Sequence, residues 1–233
     1  MKSMKITLLT LMAFLFSINT SVAQDDSKDW PNLNRFQKDN KELKQPKDGQ
    51  NRIVFMGNSI TIGWSSHHPE FFEGKPYVNR GISGQTTPQM LLRFKQDVVQ
   101  LNPKVVVICA GTNDIAGNTG YASIQMIMDN LSSMVEIAQA NDIKVVLASV
   151  HPAFDYPWSK GLAPNERIPE LNGEIKKYAD AHSIVYLDYF SAMTDGNNGL
   201  RTELTYDGVH PNKEGYAIME PLAEEAIKKA LQK

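Results

Sequence analysis

The feature that most constrains the fold of this chain is a series of short apolar runs that recur along it. Four runs are rich in valine and isoleucine, have the length of strands and lack alternating polar residues: 53–56, 105–110, 143–150 and 184–187. A shorter run, Tyr77-Val78, indicates a fifth strand. Strands without polar alternation are typical of a parallel sheet buried on both faces.

The segments between these runs carry apolar residues at helical spacing. One helix is expected to begin at Thr87 and Pro88, with Thr87 as its N-cap, and three more are expected around 124–135, 168–178 and 219–231. Strands that alternate with helices form right-handed crossovers. The sequence therefore predicts an α/β chain with a three-layer α/β/α sandwich, built as one domain over residues 51–233.

The first 23 residues have the pattern of an export signal. Lys2 and Lys5 give a basic start, residues 6–16 carry no charge, and Ser21-Val22-Ala23 offers small residues for a signal peptidase. We expect cleavage after Ala23 and a secreted or periplasmic product. An uncleaved N-terminal anchor is the alternative, although the apolar run is shorter than a membrane span.

Residues 24–50 are polar and follow the predicted signal peptide. Trp30, Leu33 and Phe36 recur within them at a spacing compatible with a helix. This segment is interpreted as a lead-in helix and a linker that precede the main domain.

Charge and cysteine content exclude several classes of function. The formal net charge is −2, and loss of the signal peptide would make it more negative, so nothing favours nucleic acid or an anionic membrane as a partner. The single cysteine, Cys109, excludes an internal disulfide and lies far from the site that a lipoprotein would modify. A mature chain without a membrane span is expected.

Polar and glycine-rich residues follow the predicted strands at the sheet edge where ligands bind in such folds. Four blocks stand there, in this order: Gly57-Asn58-Ser59, Asn79-Arg80-Gly81-Ile82-Ser83-Gly84, Gly111-Thr112-Asn113-Asp114 and Asp207-Gly208-Val209-His210.

These four blocks resemble those of the SGNH (GDSL-type) hydrolase family, over roughly residues 50–230. The resemblance implies a flavodoxin-like fold with a parallel five-stranded sheet and hydrolysis of esters or thioesters without a metal or other cofactor. It also implies a catalytic triad of Ser59, Asp207 and His210. The oxyanion hole would consist of the Ser59 and Gly84 backbone amides and the Asn113 side chain.

The chemistry of these residue types agrees with the resemblance. A serine hydroxyl becomes a strong nucleophile when a base accepts its proton, and histidine can do so near neutral pH. Asp207 stands three residues before His210, so its carboxylate can orient the imidazole. A helix N-cap is the alternative role for Ser59, and a turn or cap role is the alternative for Gly84 and Asn113.

One residue departs from the family pattern. Asn58 stands where the family usually has aspartate directly before the nucleophile. Because that position is outside the triad, we expect the substitution to change loop geometry and local charge more than the chemistry.

Candidate substrate-binding residues are aromatic or basic side chains in segments expected to border the site. They are Trp64, His151, Tyr156 and Trp158. Flat aromatic faces beside polar groups suit sugar rings, and for His151 an ordinary loop role is the alternative. No histidine or cysteine pattern indicates a metal site.

The sequence thus predicts a secreted serine esterase that acts on short-chain, mainly acetyl, esters of carbohydrates. A small-molecule or glycan ester would be its partner. A lysophospholipase or thioesterase of the same fold is one alternative, and a catalytically silent glycan-binding module is another.

Overall fold

The computed structural model describes residues 29–233. The predicted signal peptide, residues 1–23, lies outside the described residues. Within them, the five strands form one parallel sheet in the order β2-β1-β3-β4-β5, with bounds Ile53–Gly57 (β1), Tyr77–Gly81 (β2), Val105–Cys109 (β3), Lys144–Ala148 (β4) and Val185–Leu187 (β5). The predicted five-stranded parallel sheet is confirmed.

Helices connect and cover the strands. Their bounds are Gln37–Glu42 (α1), Ser59–His67 (α2), Thr87–Asp97 (α3), Thr112–Ile115 (α4), Ile124–Gln139 (α5), Pro164–Ala181 (α6), Tyr189–Met193 (α7) and Lys213–Gln232 (α8). Short 3-10 turns occupy 69–71, 99–101 and 202–204. In the part of the chain that the structure describes, none of the helices has the length and apolar character to cross a membrane.

Alternate residues of each strand supply two separate hydrophobic cores. Val54 and Met56 of β1 face the helices α3, α5 and α6, whereas Ile53 and Phe55 face α2 and α8. Because both faces of the sheet are covered, the strands read as continuous apolar runs. This arrangement confirms the three-layer α/β/α sandwich.

Two predicted helix starts differ from the structure. Helix α3 is capped by Thr86 rather than Thr87, because Thr86 and Gln89 form a capping box that satisfies the first free amides. In the lead-in segment the helix begins at Gln37. The Asp29 carboxylate accepts from the Leu33 and Asn34 amides, which produces turns where the pattern had indicated helix.

Candidate active site

The site lies at the carboxyl edge of the sheet, where β1 passes into α2. Ser59 is the first residue of α2, and Asn58 is its N-cap, with its side-chain oxygen accepting from the Ile60 amide at 3.0 Å. A carboxylate could accept this same hydrogen bond. Asn58 therefore supplies the local capping contact that the usual aspartate could also make.

Two paired glycines allow α2 to lie close to the sheet. Gly57 and Gly81 are partners in the β1–β2 register. A Cβ on Gly57 would lie 2.0 Å from the Thr61 hydroxyl, and one on Gly81 would lie 2.3 Å from the Ile62 amide nitrogen. Any side chain at either position would displace the first turns of α2, and Ser59 with them.

Ser59, His210 and Asp207 form one chain of hydrogen bonds. The Ser59 hydroxyl lies 2.9 Å from His210 Nε2, and His210 Nδ1 lies 2.6 Å from Asp207 Oδ2. Nδ1 is thereby oriented by the carboxylate, which leaves Nε2 to accept the serine proton.

The loop that carries Asp207 and His210 is held mainly by its own residues. Asp207 Oδ1 accepts from the backbone amides of Val209 and His210, at 2.9 and 2.7 Å. The Thr205 hydroxyl accepts from the Asp207 and Gly208 amides and donates to the His210 carbonyl at 2.7 Å. Partial burial raises the pKa of Asp207, but the hydrogen bonds from His210 and Val209 outweigh it, so the net pKa lies below its ordinary value.

Gly84 and Asn113 line the same cleft as Ser59 and His210. Gly84 adopts a φ of +75°, a left-handed conformation that suits glycine. The Asn113 side chain is buried and donates one N–H from Nδ2 to the Gln85 carbonyl at 2.9 Å. The second N–H of this amide remains able to serve a ligand in the cleft, which Asn113 lines.

The cleft is open and has a volume of about 510 Å³. The described residues that line it are Ser59, Ile62, Gly63, Ser66, His67, Ser83, Gly84, Asn113, Asn118, Trp158, Tyr206 and His210. Small and polar side chains dominate this wall. The cleft therefore combines polar side chains with the rings of Trp158 and Tyr206, and it opens from the surface toward Ser59 and His210.

Two exposed aromatic rings border the imidazole of His210. Trp158 is 46% exposed with its ring centre 5.7 Å from that of His210, and Tyr206 is 62% exposed with its ring stacked on His210 at 5.9 Å and 9°. Trp158 was expected at the site, and Tyr206 was not. In the sequence, the position of Tyr206 directly before Asp207 could have indicated that its ring lies near the site.

Trp64 does not reach the cleft, which corrects its expected role in substrate binding. It is 2% exposed and stacks on Phe71 at 4.4 Å. The reason is helical periodicity: Ser59, Gly63 and His67 share the cleft face of α2, whereas Trp64 lies on the face that packs into the core.

His151 and Tyr156 are also buried, so neither lines the cleft and both expected substrate contacts are corrected. Burial lowers the pKa of His151 to about 3, with His210 adding to the effect, so its ring is neutral and packs on Tyr189. The Tyr156 hydroxyl donates to the Thr112 carbonyl at 3.0 Å, and its ring stacks on Trp158. The buried ring of Tyr156 thus packs against Trp158 and stabilises its position at the cleft.

The fold and the hydrogen-bonded Ser-His-Asp chain define a site of the serine hydrolase class. The family profile described as "GDSL-like Lipase/Acylhydrolase family" matches residues 55–218. The chain belongs to this family, which confirms the resemblance carried by the four blocks and supports its assignment as an ester hydrolase.

Relatives of known structure or name agree with this membership. A crystal structure of a GDSL-like lipase from Bacteroides thetaiotaomicron is 46% identical with a TM-score of 0.83, and the match covers 86% of this chain and 98% of that one. An arylesterase from Vibrio mimicus is 24% identical over 80% of this chain and 93% of its own. An acetylxylan esterase from Xylanibacter ruminicola is 26% identical over 81% of this chain and 45% of its own.

The match lengths differ among the relatives. The chain spans about half the length of the first curated relatives it matches, which are 51% and 45% covered. One of these is the uncharacterized lipoprotein YqeF of Bacillus subtilis, 30% identical over 46% of this chain.

Proposed function

We propose that this chain is an exported serine esterase that removes short acyl groups, mainly acetyl, from carbohydrate esters through an acyl-enzyme intermediate. The observation that carries the proposal is the Ser59–His210–Asp207 chain, with contacts of 2.9 and 2.6 Å, facing an open cleft. The acetylxylan esterase and the arylesterase among the relatives support the reaction type.

In the first half of the proposed reaction, the Ser59 oxygen attacks the ester carbonyl while His210 Nε2 takes the hydroxyl proton. The carbonyl oxygen becomes an oxyanion, which accepts hydrogen bonds from the Ser59 and Gly84 amides and from Asn113 Nδ2. The bond to the alcohol then breaks, and His210 returns the proton to the departing oxygen. Asp207 stabilises the imidazolium that exists between the two transfers.

In the second half, water attacks the acyl group on Ser59. His210 accepts a proton from that water, the tetrahedral intermediate forms in the same oxyanion hole, and collapse releases the acid. His210 then reprotonates Ser59, so the enzyme returns to its starting state.

The composition of the cleft supports a short acyl group and a polar alcohol. Among the described lining residues, Ile62 is the one aliphatic side chain, so a long hydrocarbon chain would meet few aliphatic contacts. The exposed rings of Trp158 and Tyr206 present flat faces beside serine and asparagine side chains. Such a border suits the faces and hydroxyl groups of a sugar.

The test is an ester panel on the purified protein and on Ser59→Ala. The panel contains p-nitrophenyl acetate, acetylated xylo-oligosaccharides, p-nitrophenyl esters of increasing chain length and a lysophospholipid. We expect acetyl esters to react fastest and Ser59→Ala to lose activity while it stays folded by circular dichroism. Faster hydrolysis of long-chain or phospholipid esters would favour the lipase alternative, and an inactive wild type that binds oligosaccharide would favour the binding module.

A further inference from the structure

Gln85 is connected to two candidate oxyanion donors, Gly84 and Asn113. It follows Gly84 in the chain, and its backbone carbonyl accepts from Asn113 Nδ2 at 2.9 Å. Its side chain is buried and directed away from the cleft residues. The placement of Gln85 therefore affects both Gly84, through the backbone, and Asn113, through this hydrogen bond.

Both ends of the Gln85 side-chain amide have partners from distant parts of the chain. Oε1 accepts from Arg93 Nε at 2.5 Å, and Nε2 donates to the Pro31 carbonyl at 2.7 Å. A guanidinium can only donate and a carbonyl can only accept, so the two partners together determine the orientation of the amide.

Arg93 is fully buried and joins three elements. Its Nη2 donates to the carbonyl of Gly57, the last residue of β1, at 3.2 Å and to that of Arg80, the last but one of β2, at 2.8 Å. Its Nη1 forms an ion pair with buried Asp97 at 3.1 Å. Hydrogen bonds thus engage four of the five N–H groups of this buried guanidinium. It tolerates little displacement, because each lost partner leaves an unpaired buried group.

The segment 29–42 lies along α3 and completes this network. Besides Pro31, the carbonyls of Trp30 and Leu33 accept from Gln89 and Gln96 at 2.7 and 2.6 Å. Asn40 Nδ2 donates to Asp97 Oδ1 at 2.7 Å. The lead-in segment thus contacts the helix that directly follows the Gly84 loop.

We propose that Gln85 is a positioning residue for the oxyanion hole, held in place by Arg93 and by Pro31 of the lead-in segment. It acts through Gly84 and Asn113 and does not touch the substrate. The inference rests on the oxyanion roles in the proposed function, which it extends by assigning a support to them.

The test compares Gln85→Leu with Gln96→Ala. Gln96 is a matched control because it also joins α3 to the lead-in segment, but near the far end of the helix. With p-nitrophenyl acetate, we expect Gln85→Leu to lower kcat about ten-fold with KM within about two-fold, since misplaced oxyanion donors affect the transition state most. Gln96→Ala should keep kcat within about two-fold of wild type.

A boronic acid that forms a tetrahedral adduct with serine separates positioning from general loosening. In Gln85→Leu its inhibition constant should rise by the same factor by which kcat/KM falls, whereas inhibition by acetate should stay constant. Arg93→Lys, which keeps the charge but loses the planar donor set, should give an intermediate loss. If Gln85→Leu fails to fold, Gln85→Glu, which keeps the acceptor toward Arg93, takes its place with the same expectations.

The outcomes distinguish this inference from the proposed function. Wild-type activity that depends on Ser59, together with a Gln85 variant as active as Gln96→Ala or with unchanged boronate affinity, overturns the positioning role alone. A wild type without Ser59-dependent turnover overturns the proposed function, and the positioning role with it.

Discussion

The two sides of the cleft are built by contrasting kinds of contact. The acid–base side, residues 205–211, is stabilised by hydrogen bonds between residues two to five positions apart, such as Thr205 with His210. The oxyanion side, residues 83–87, also depends on more distant partners, 8 to 54 positions away: Arg93, Asp114 and Pro31. A local loop can change with little effect on the core, whereas the oxyanion side is part of the core.

Replacing His210 with alanine is expected to have the largest effect on activity of the variants that test this contrast. Loss of the base should lower kcat by about 10⁴-fold or more. The melting temperature should change by no more than a few degrees, because His210 sits in a partly exposed loop. Circular dichroism melts and p-nitrophenyl acetate assays measure both, and a variant that retains most of its activity would contradict the assignment of His210.

Asn113→Ala tests the oxyanion side of the cleft. Loss of one oxyanion donor should lower kcat by about 10²- to 10³-fold. Unlike His210→Ala, it should also lower the free energy of unfolding, because the buried Gln85 carbonyl loses its donor. Asn130→Ala is the control: its amide donates to the Thr87 hydroxyl from outside the cleft, and kcat should stay within about three-fold.

The two sides also contain carboxylates with opposite responses to pH. Burial raises the pKa of Asp114 to about 6, against three opposing hydrogen bonds, whereas the net pKa of Asp207 is lowered. Folded Asp114 takes up a proton as pH falls through 6, while the unfolded chain does so only near 3.8. Asp114 should therefore add up to about 3 kcal/mol to the free energy of unfolding between about pH 7 and pH 4.

Urea unfolding at several pH values checks this expectation against Asp114→Asn, which cannot titrate. The difference between wild type and variant should shift in favour of wild type as the pH falls. Parallel pH curves for the two proteins would show that Asp114 has no raised pKa. For Asp207 the sign is reversed: its contribution is present above its ordinary pKa and is lost in stronger acid.

Thr205→Val probes the local loop. Valine keeps the shape of threonine but removes the hydroxyl that bonds Asp207, Gly208 and His210. We expect a kcat about ten-fold lower and a loss of about 1 kcal/mol in the free energy of unfolding. Thr202→Val, on exposed surface three residues earlier, is the control. Equal activity of the two variants would mean that the loop needs no support from Thr205.

The smallest effect is expected at the border of the cleft. Trp158→Ala should raise KM for acetylated xylo-oligosaccharides about ten-fold, through loss of one stacking face, and change kcat/KM for p-nitrophenyl acetate by no more than about three-fold. Trp30→Ala removes an exposed tryptophan elsewhere and serves as the control. An equal loss on both substrates would assign Trp158 to support of His210 instead of sugar binding.

The same contrast explains what the sequence could predict. The strands are marked by apolar runs, so local pattern was sufficient to predict the sheet. The spacing of Asp207 and His210 predicted that the two side chains could pair, and they lie 2.6 Å apart. Strand β2 is longer than its apolar pair, because the polar side chains that follow this pair have partners: Asn79 donates to the Thr61 carbonyl and Arg80 donates to Asn40 Oδ1.

Long-range contacts explain what the sequence missed. Trp64 and Tyr156 are residue types that often bind ligands. Only the folded structure shows that their side chains are buried in the core. The Arg93–Asp97 pair has helical spacing, but the other partners of Gln85 and Arg93 lie on other elements. Their importance could not be inferred until the chain had been folded.

The glycine pair Gly57 and Gly81 has a consequence for directed evolution of this enzyme. We expect libraries that diversify these two positions to sample mostly inactive variants, because a single methyl group at either position collides with the first turns of α2, the helix that begins at Ser59. Trp158 and Tyr206 line the cleft from exposed positions, where a change of side chain meets no such collision with α2. New substrate ranges should therefore be selected from the border residues, while the strand ends remain invariant.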